Sequence, residues 1–297
     1  MVQLHYKSIR RDFSSSKILG KLAFRAGYFL IPILAFAFIG SNAHAQETPI
    51  QDNSFLLEEA YNQEAGVVQH ISLFTYLWDS HSWAYTFTQE WPVTASIRHQ
   101  FSYSVAVVDS GEVPESGGSL GDFLLNYRYQ LLGGGDSRVA FSPRLSLSLP
   151  TGDSKQGRGF GSTAVQGNLP LSLVLGRQWA MHLNAGTTIA PRAQNEIGDR
   201  ALVAGYNLGQ SFIWLAHSRF NVLLETVWND SASVIGPDRT ERSRDLLLTP
   251  GIRWAHNFRN GLQIVPGLGM SVGVGPSAGE KGLVVYLSFE HPFTNTR

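Results

Sequence analysis

The chain has 297 residues, equal numbers of basic and acidic side chains (23 Lys+Arg, 23 Asp+Glu) and no cysteine. The missing cysteine excludes disulfides, thiol nucleophiles and Cys-ligated metals. The charge balance gives no electrostatic case for binding nucleic acid.

The first element in chain order is a leader. Lys7, Arg10, Arg11, Lys17, Lys21 and Arg25 form a basic region, an apolar run follows from Tyr28 to Ile39, and Ala43-His44-Ala45 gives a small-x-small pattern before Gln46. A spanning helix needs about 20 apolar residues. Residues 1–45 are therefore predicted to be an export signal cleaved after Ala45. The leader carries those six basic residues and one acid, Asp12, so residues 46–297 are net acidic by five. No cysteine stands at the cleavage site, which excludes a lipoprotein, and no later apolar run is long enough for a helical span.

Residues 53–64, NSFLLEEAYNQE, do not alternate. Asn53 or Ser54 is expected to cap a short helix with Glu58 and Glu59 in its early turns. Residues 46–65 are then either a periplasmic N-terminal segment or a partial plug of a barrel mouth.

From Gly66 onward one pattern repeats: alternating apolar and polar residues, then a break. In RVAFSPRLSLSLPTGD (138–153), Arg138, Ala140, Ser142, Arg144, Ser146 and Ser148 alternate with Val139, Phe141, Pro143, Leu145, Leu147 and Leu149. A period of two marks a strand whose faces meet different surroundings. Twelve such segments are predicted, the first of them less regular. Tight breaks are expected at 98–100, 132–137, 176–178, 216–218 and 257–260, and long ones at 109–119, 150–162, 190–200, 230–243 and 274–281. Only the first of the second set, at 78–82, is short. Short turns at one end and long loops at the other are the outer-membrane arrangement.

The faces agree. In segments two to twelve the outward set holds no Lys, Arg, Asp or Glu, as a lipid face requires, since Arg or Lys there costs about 2–4 kcal/mol at the midplane. The opposite set holds Glu90, Asp122, Glu225, Asp245 and Glu290 with Arg98, Arg128, Arg138, Arg144 and Arg253. Trp78, Trp83 and Trp228 fall at long-loop ends and Trp179, Trp214 and Trp254 at short-turn ends, two aromatic belts. The expected fold class is all-β: a closed antiparallel transmembrane β-barrel of about twelve strands over residues 66–293, with short periplasmic turns and longer extracellular loops, in the outer membrane of a Gram-negative bacterium. Pro143, Pro170, Pro250 and Pro266 lie inside predicted strands and are expected to mark bulges or bends.

SFLLEEAYNQEAGVVQHI (54–71), TFTQEWPV (86–93), GDFLLNYRYQLL (121–132) and LSLSLPTGD (145–153) together resemble the bacterial outer-membrane family known as "MetA-pathway of phenol degradation" proteins. The likeness runs from about residue 53 to the C-terminus, and the GD…Y.Y…LPTGD string is its most specific part. The resemblance implies a β-barrel, a transporter-like role and passage of small aromatic or apolar compounds. It brings no catalytic residues. The chain departs from the usual outer-membrane ending, with Thr294-Asn295-Thr296-Arg297 trailing Phe293.

No enzyme chemistry is expected. GRGFGS (157–162) lacks the strand-before, helix-after context of a phosphate loop. The nine histidines show no metal spacing, and His70 with Ser72 comes without a nucleophile-elbow motif. No cofactor and no metal are expected. Ala140, Ser142, Ser146, Ser148, Gly267, Gly269, Ser271 and Gly273 are small inward residues that leave free volume, which favours a channel for small solutes. Glu90, Asp122, Arg128, Arg144, Glu225, Asp245 and Arg253 are the candidate pore-lining residues. Arg128 and Arg144 lie on consecutive strands, with Glu90, Asp122, Glu225 and Asp245 expected across the lumen as an acidic side. The alternatives are a barrel whose charges simply pair around a filled interior, structural or adhesive in role, and an outer-membrane lipid-modifying enzyme. Expected partners are outer-membrane lipid, the barrel-assembly machinery and small-molecule solutes.

Overall fold

The computed structural model describes residues 52–93, 96–109, 118–135 and 137–293. The predicted leader, its cleavage site and residues 294–297 lie outside the described residues.

Twelve antiparallel strands close into a barrel. They are β1 (Val67–Leu77), β2 (Ser82–Val93), β3 (Ser96–Asp109) and β4 (Ser119–Leu120 with Phe123–Tyr129). Next come β5 (Val139–Phe141 with Arg144–Leu149), β6 (Ala164–Asn168 with Leu171–Val174), β7 (Trp179–Gln194) and β8 (Arg200–His217). The last are β9 (Phe220–Gly236), β10 (Arg239–Trp254 with His256–Asn257), β11 (Gln263–Gly273) and β12 (Lys281–Pro292). Each pairs with its neighbours in sequence, and β12 returns to β1 from Val67↔Pro292 to Leu77↔Gly282. Closure leaves no edge with unpaired backbone groups, which a lipid-facing sheet could not tolerate.

Alternation places the residues, and the burial is the inverse of a water-soluble sheet. In β5, Leu145 is 59 % exposed and Leu147 40 %, while Ser146 and Ser148 are each 1 % exposed. Trp179 and Trp214 face each other across β7 and β8 at the short-turn end.

The prolines act in two ways. Pro143 and Pro170 interrupt β5 and β6 side by side, their carbonyls still accepting from Tyr129 N (3.1 Å) and Ser142 N (3.2 Å). Pro250 and Pro266 open gaps in the β10–β11 ladder, between Leu248↔Val272 and Gly251↔Gly269, and between Arg253↔Gly267 and His256↔Ile264. The register is kept across both gaps, so the expected bulges are absent there; each proline simply lacks a donor.

Three loop expectations change. The break at 98–100 lies inside β3: Val93 pairs with Ser96 and Pro92 with Gln100, so residues 97–99 bulge out. Residues 230–243 are mostly ladder, since β9 and β10 pair from Phe220↔Trp254 through Gly236↔Arg239. The loop expected at 190–200 shrinks because β7 runs to Gln194 and β8 starts at Arg200. Beyond the bilayer both faces of a hairpin meet water, so hydropathy alternation disappears while backbone pairing continues.

Candidate functional site

The barrel interior is occupied by residues 52–64, the stretch just before β1. It is not a helix but an irregular extended segment with bends. Its N–H groups are met by wall side chains at alternate residues, the period of extended chain. Leu56 N donates to Glu225 Oε2 (3.1 Å), Glu58 N to Asn184 Oδ1 (3.2 Å), Ala60 N to Ser172 Oγ (2.7 Å) and Asn62 N to Gln130 Oε1 (2.9 Å). Gln63 N completes the circuit on Gln100 Oε1 (2.7 Å). The partners step round the wall from β9 to β7 and β6, then to the residue just past β4, then to β3. With its backbone bonded sideways, the segment gains nothing from a helix, which is why the expected cap at Asn53 or Ser54 does not form. Instead Asn53 Oδ1 accepts from Glu59 N (2.8 Å), and Ser54 Oγ donates to Ser211 Oγ (2.7 Å).

The segment's carbonyls are held as closely. Arg253 donates to the carbonyls of Asp52 (2.9 Å) and Asn53 (2.5 Å), and Arg128 to those of Glu59 (2.8 Å) and Tyr61 (3.3 Å). Gln130 and Ser142 share the Ala60 carbonyl. The Asp52 carboxylate accepts from Tyr286 Oη (2.6 Å) and Gln69 Nε2 (2.7 Å).

Packing completes the fill. Phe55 lies among Ile71, Ile213, Leu223, Val265, Val284 and Tyr286, all inward-facing. Gly251, Gly267 and Gly269 make room for its ring, and Gly209 for Leu57; a Cβ at any of the four would collide with those side chains. The small residues thus accommodate the segment instead of leaving a void. Beside it a pocket of about 10 Å³, lined by Arg144, Gln166, Asn168, Thr188 and Asn207 among others, has room for roughly one water.

The seven candidate lining residues divide by what they touch. Arg253, Glu225, Arg128 and Arg144 all grip the segment, Arg144 through an ion pair with Glu58 (2.8 Å). Glu90 does not stand across the lumen as an acidic side. It is two strands from Arg128 on the same wall and paired with it (3.1 Å). Glu225 turns its carboxylate to the backbone N–H of Leu56. Asp122 is a loop anchor: its carboxylate accepts from Gly152 N (3.0 Å) and Phe160 N (2.9 Å), binding the 150–162 loop over the mouth. Gly159, with φ of +130°, passes so close that a side chain would strike that carboxylate. Asp245 is half-buried at the same end, reached by Ser277 Oγ (3.5 Å). Opposed charged faces therefore do not form: Glu90 pairs with Arg128 on one wall, while Glu225 and Asp122 are held by backbone N–H groups. Arg98 and Arg138 are exposed, and Glu290 is half-buried.

Sequence reasoning missed Asp52, Phe55, Leu57, Gln69, Gln100, Asn184 and Tyr286. A signal was present. Ile71, Ile213, Leu223, Val265 and Val284 put apolar side chains on the inward phase, a pattern unsuited to a water-filled lumen.

Glu59 has a buried Oε2 without a hydrogen-bond partner among the described residues. Burial, reinforced by the neighbouring Asp52 carboxylate, pushes its pKa up to about 8.

No family model matches the chain, and no curated protein does. Solved structures do. An outer membrane channel from Pseudomonas putida F1 superposes with a TM-score of 0.56 at 14% identity, covering 78% of this chain and 97% of that one. The NanC porin superposes with a TM-score of 0.50 at 12% identity, covering 74% of this chain and 98% of that one. At these identities the shared property is the fold, that of outer-membrane β-barrels.

Proposed function

We propose that the protein is an outer-membrane channel for passive passage of small solutes, aromatic or apolar in class, and that residues 52–64 set its closed state. The observation that carries this reading is the segment itself: a non-spanning stretch, bonded by its backbone to side chains around the wall, fills what is otherwise a twelve-strand lumen. Such a barrel lies between filled small barrels and open porins, so the occupant decides whether it conducts. The resemblance to the phenol-degradation outer-membrane family supports the solute class.

Planar-bilayer recording tests it. The full mature chain is expected to stay mostly closed, and a variant lacking residues 52–64 to give discrete conductance steps. A well-folded deletion variant without steps would end the channel reading and leave a structural barrel, which the filled lumen also supports.

A further inference from the structure

Strand register brings together an arginine cluster on the outward face of the β8–β10 extension. Leu208, Trp228 and Leu246 share one rung across β8, β9 and β10. Two residues further from the bilayer, about 7 Å along the strand, Tyr206, Asp230 and Arg244 share the next outward-facing one. Arg242, opposite Ala232, follows. Past the irregularity between Val234 and Gly236, Arg239 shares the phase of Glu241 and not that of Arg242; Arg200, in phase with exposed Leu202, stands on the outward face, and its carbonyl accepts from Asp238 N (2.9 Å) at the tip. Among the described residues, the outward face of β8–β10 carries no arginine on the bilayer side of this line and carries Arg200, Arg242 and Arg244 beyond it.

We infer that this face binds the phosphorylated headgroup of an outer-leaflet glycolipid, the diphosphoryl lipid A part of lipopolysaccharide. The inference rests on the outer-membrane orientation proposed above and not on conduction. Arg242 and Arg244 are pre-set by one acid: Asp230 Oδ1 accepts from Arg242 Nε (2.6 Å), and Oδ2 from Arg244 Nε (3.1 Å). Arg242 is fixed further by the Ala204 carbonyl (3.2 Å) and by the Tyr206 ring, 5.5 Å away. Arg244 is held through Nε and its side chain is 65% exposed, so its outer N–H groups face the headgroup layer. A guanidinium fork matches phosphate geometry, and arginines at headgroup height attract anionic lipid. Counted by phase, that face sets Arg200, Arg242 and Arg244 against Asp230; Asp199 and Asp238 sit at the tips and Glu241 falls out of phase with Arg242.

The test uses purified, folded barrel in detergent, titrated with diphosphoryl lipid A and with its dephosphorylated form. Wild type is expected to prefer the phosphorylated form. Arg242→Ser and Arg244→Ser should each weaken binding about fivefold, and Arg244→Lys should retain most of it. Arg200→Ser gives a second readout if the Asp230 clamp is needed for hairpin folding. Equal binding of both lipid forms, unchanged affinity in all serine variants, or displacement by millimolar inorganic phosphate would overturn the inference. Any of these in a heat-modifiable barrel leaves the channel reading intact, whereas a wild-type chain that never enters the outer membrane removes the orientation itself.

Discussion

Arg128 holds three partners at once: the carbonyls of Glu59 and Tyr61 and the carboxylate of Glu90. Removing it frees the segment at two points and leaves a buried acid that has lost its ion pair and keeps a hydrogen bond from the neutral amide of Gln100 (2.7 Å). Arg128→Ala should cost about 3–5 kcal/mol, read as a lower temperature for conversion of the unboiled gel band. Adding Glu90→Gln should recover part of that loss. Glu59 gives a pH effect of definite sign. Its pKa rises from 4.5 in free chain to about 8 when docked, so docking is most favourable below 4.5 and weakens as pH climbs through 8. Protease protection of residues 52–64 should therefore fall from pH 5 to pH 8.5 and change little beyond. Glu59→Gln should flatten that profile; an unchanged slope would assign the titration elsewhere. The inward phase of Arg128, Arg144, Glu225 and Arg253 was legible from alternation. Their partners in residues 52–64 were not, because those partners, backbone groups for Arg128, Glu225 and Arg253 and the Glu58 carboxylate for Arg144, belong to a segment with no periodicity of its own.

At the scale of the strand, period-two patterning located all twelve staves, because lipid on one side and protein on the other impose opposite demands on neighbouring residues. It failed where those demands lapse. SASVIGPDRTERSRD (231–245) carries no clear alternation, yet most of it pairs as β9 and β10. Prolines misled for a related reason: a missing donor in the β10–β11 ladder removes a bond without altering register. The closing strand was readable to its end. Phe289 pairs with His70, and Pro292 with Val67. Truncation before Phe289 strips β1 of its partners from Val67 to His70 and should abolish the heat-modifiable form. Loss of residues 294–297 should not. A heat-modifiable product from the longer truncation would mean that the barrel closes through another pair of strands.

At the scale of the molecule, the segment next to β1 in sequence is anchored mainly to distant strands. Ser54 reaches a partner 157 residues away, Leu56 one 169 away, and Asp52 partners 201 and 234 away. Contacts so remote in sequence form late, because their loops must close first. The part of residues 52–93 made first is thus the part that finishes last, held unpaired until the far wall exists. An interaction absent from the transition state slows unfolding without speeding folding. Chain lacking residues 52–64 should therefore refold into detergent micelles or vesicles at the wild-type rate but unfold faster in denaturant. Slower refolding of the deletion would instead make the segment a template around which the wall assembles. On the first outcome its clock is that of a latch thrown after the door is shut, and any stall in barrel closure would leave residues 52–64 on the periplasmic side, within reach of proteases that survey unfinished chains.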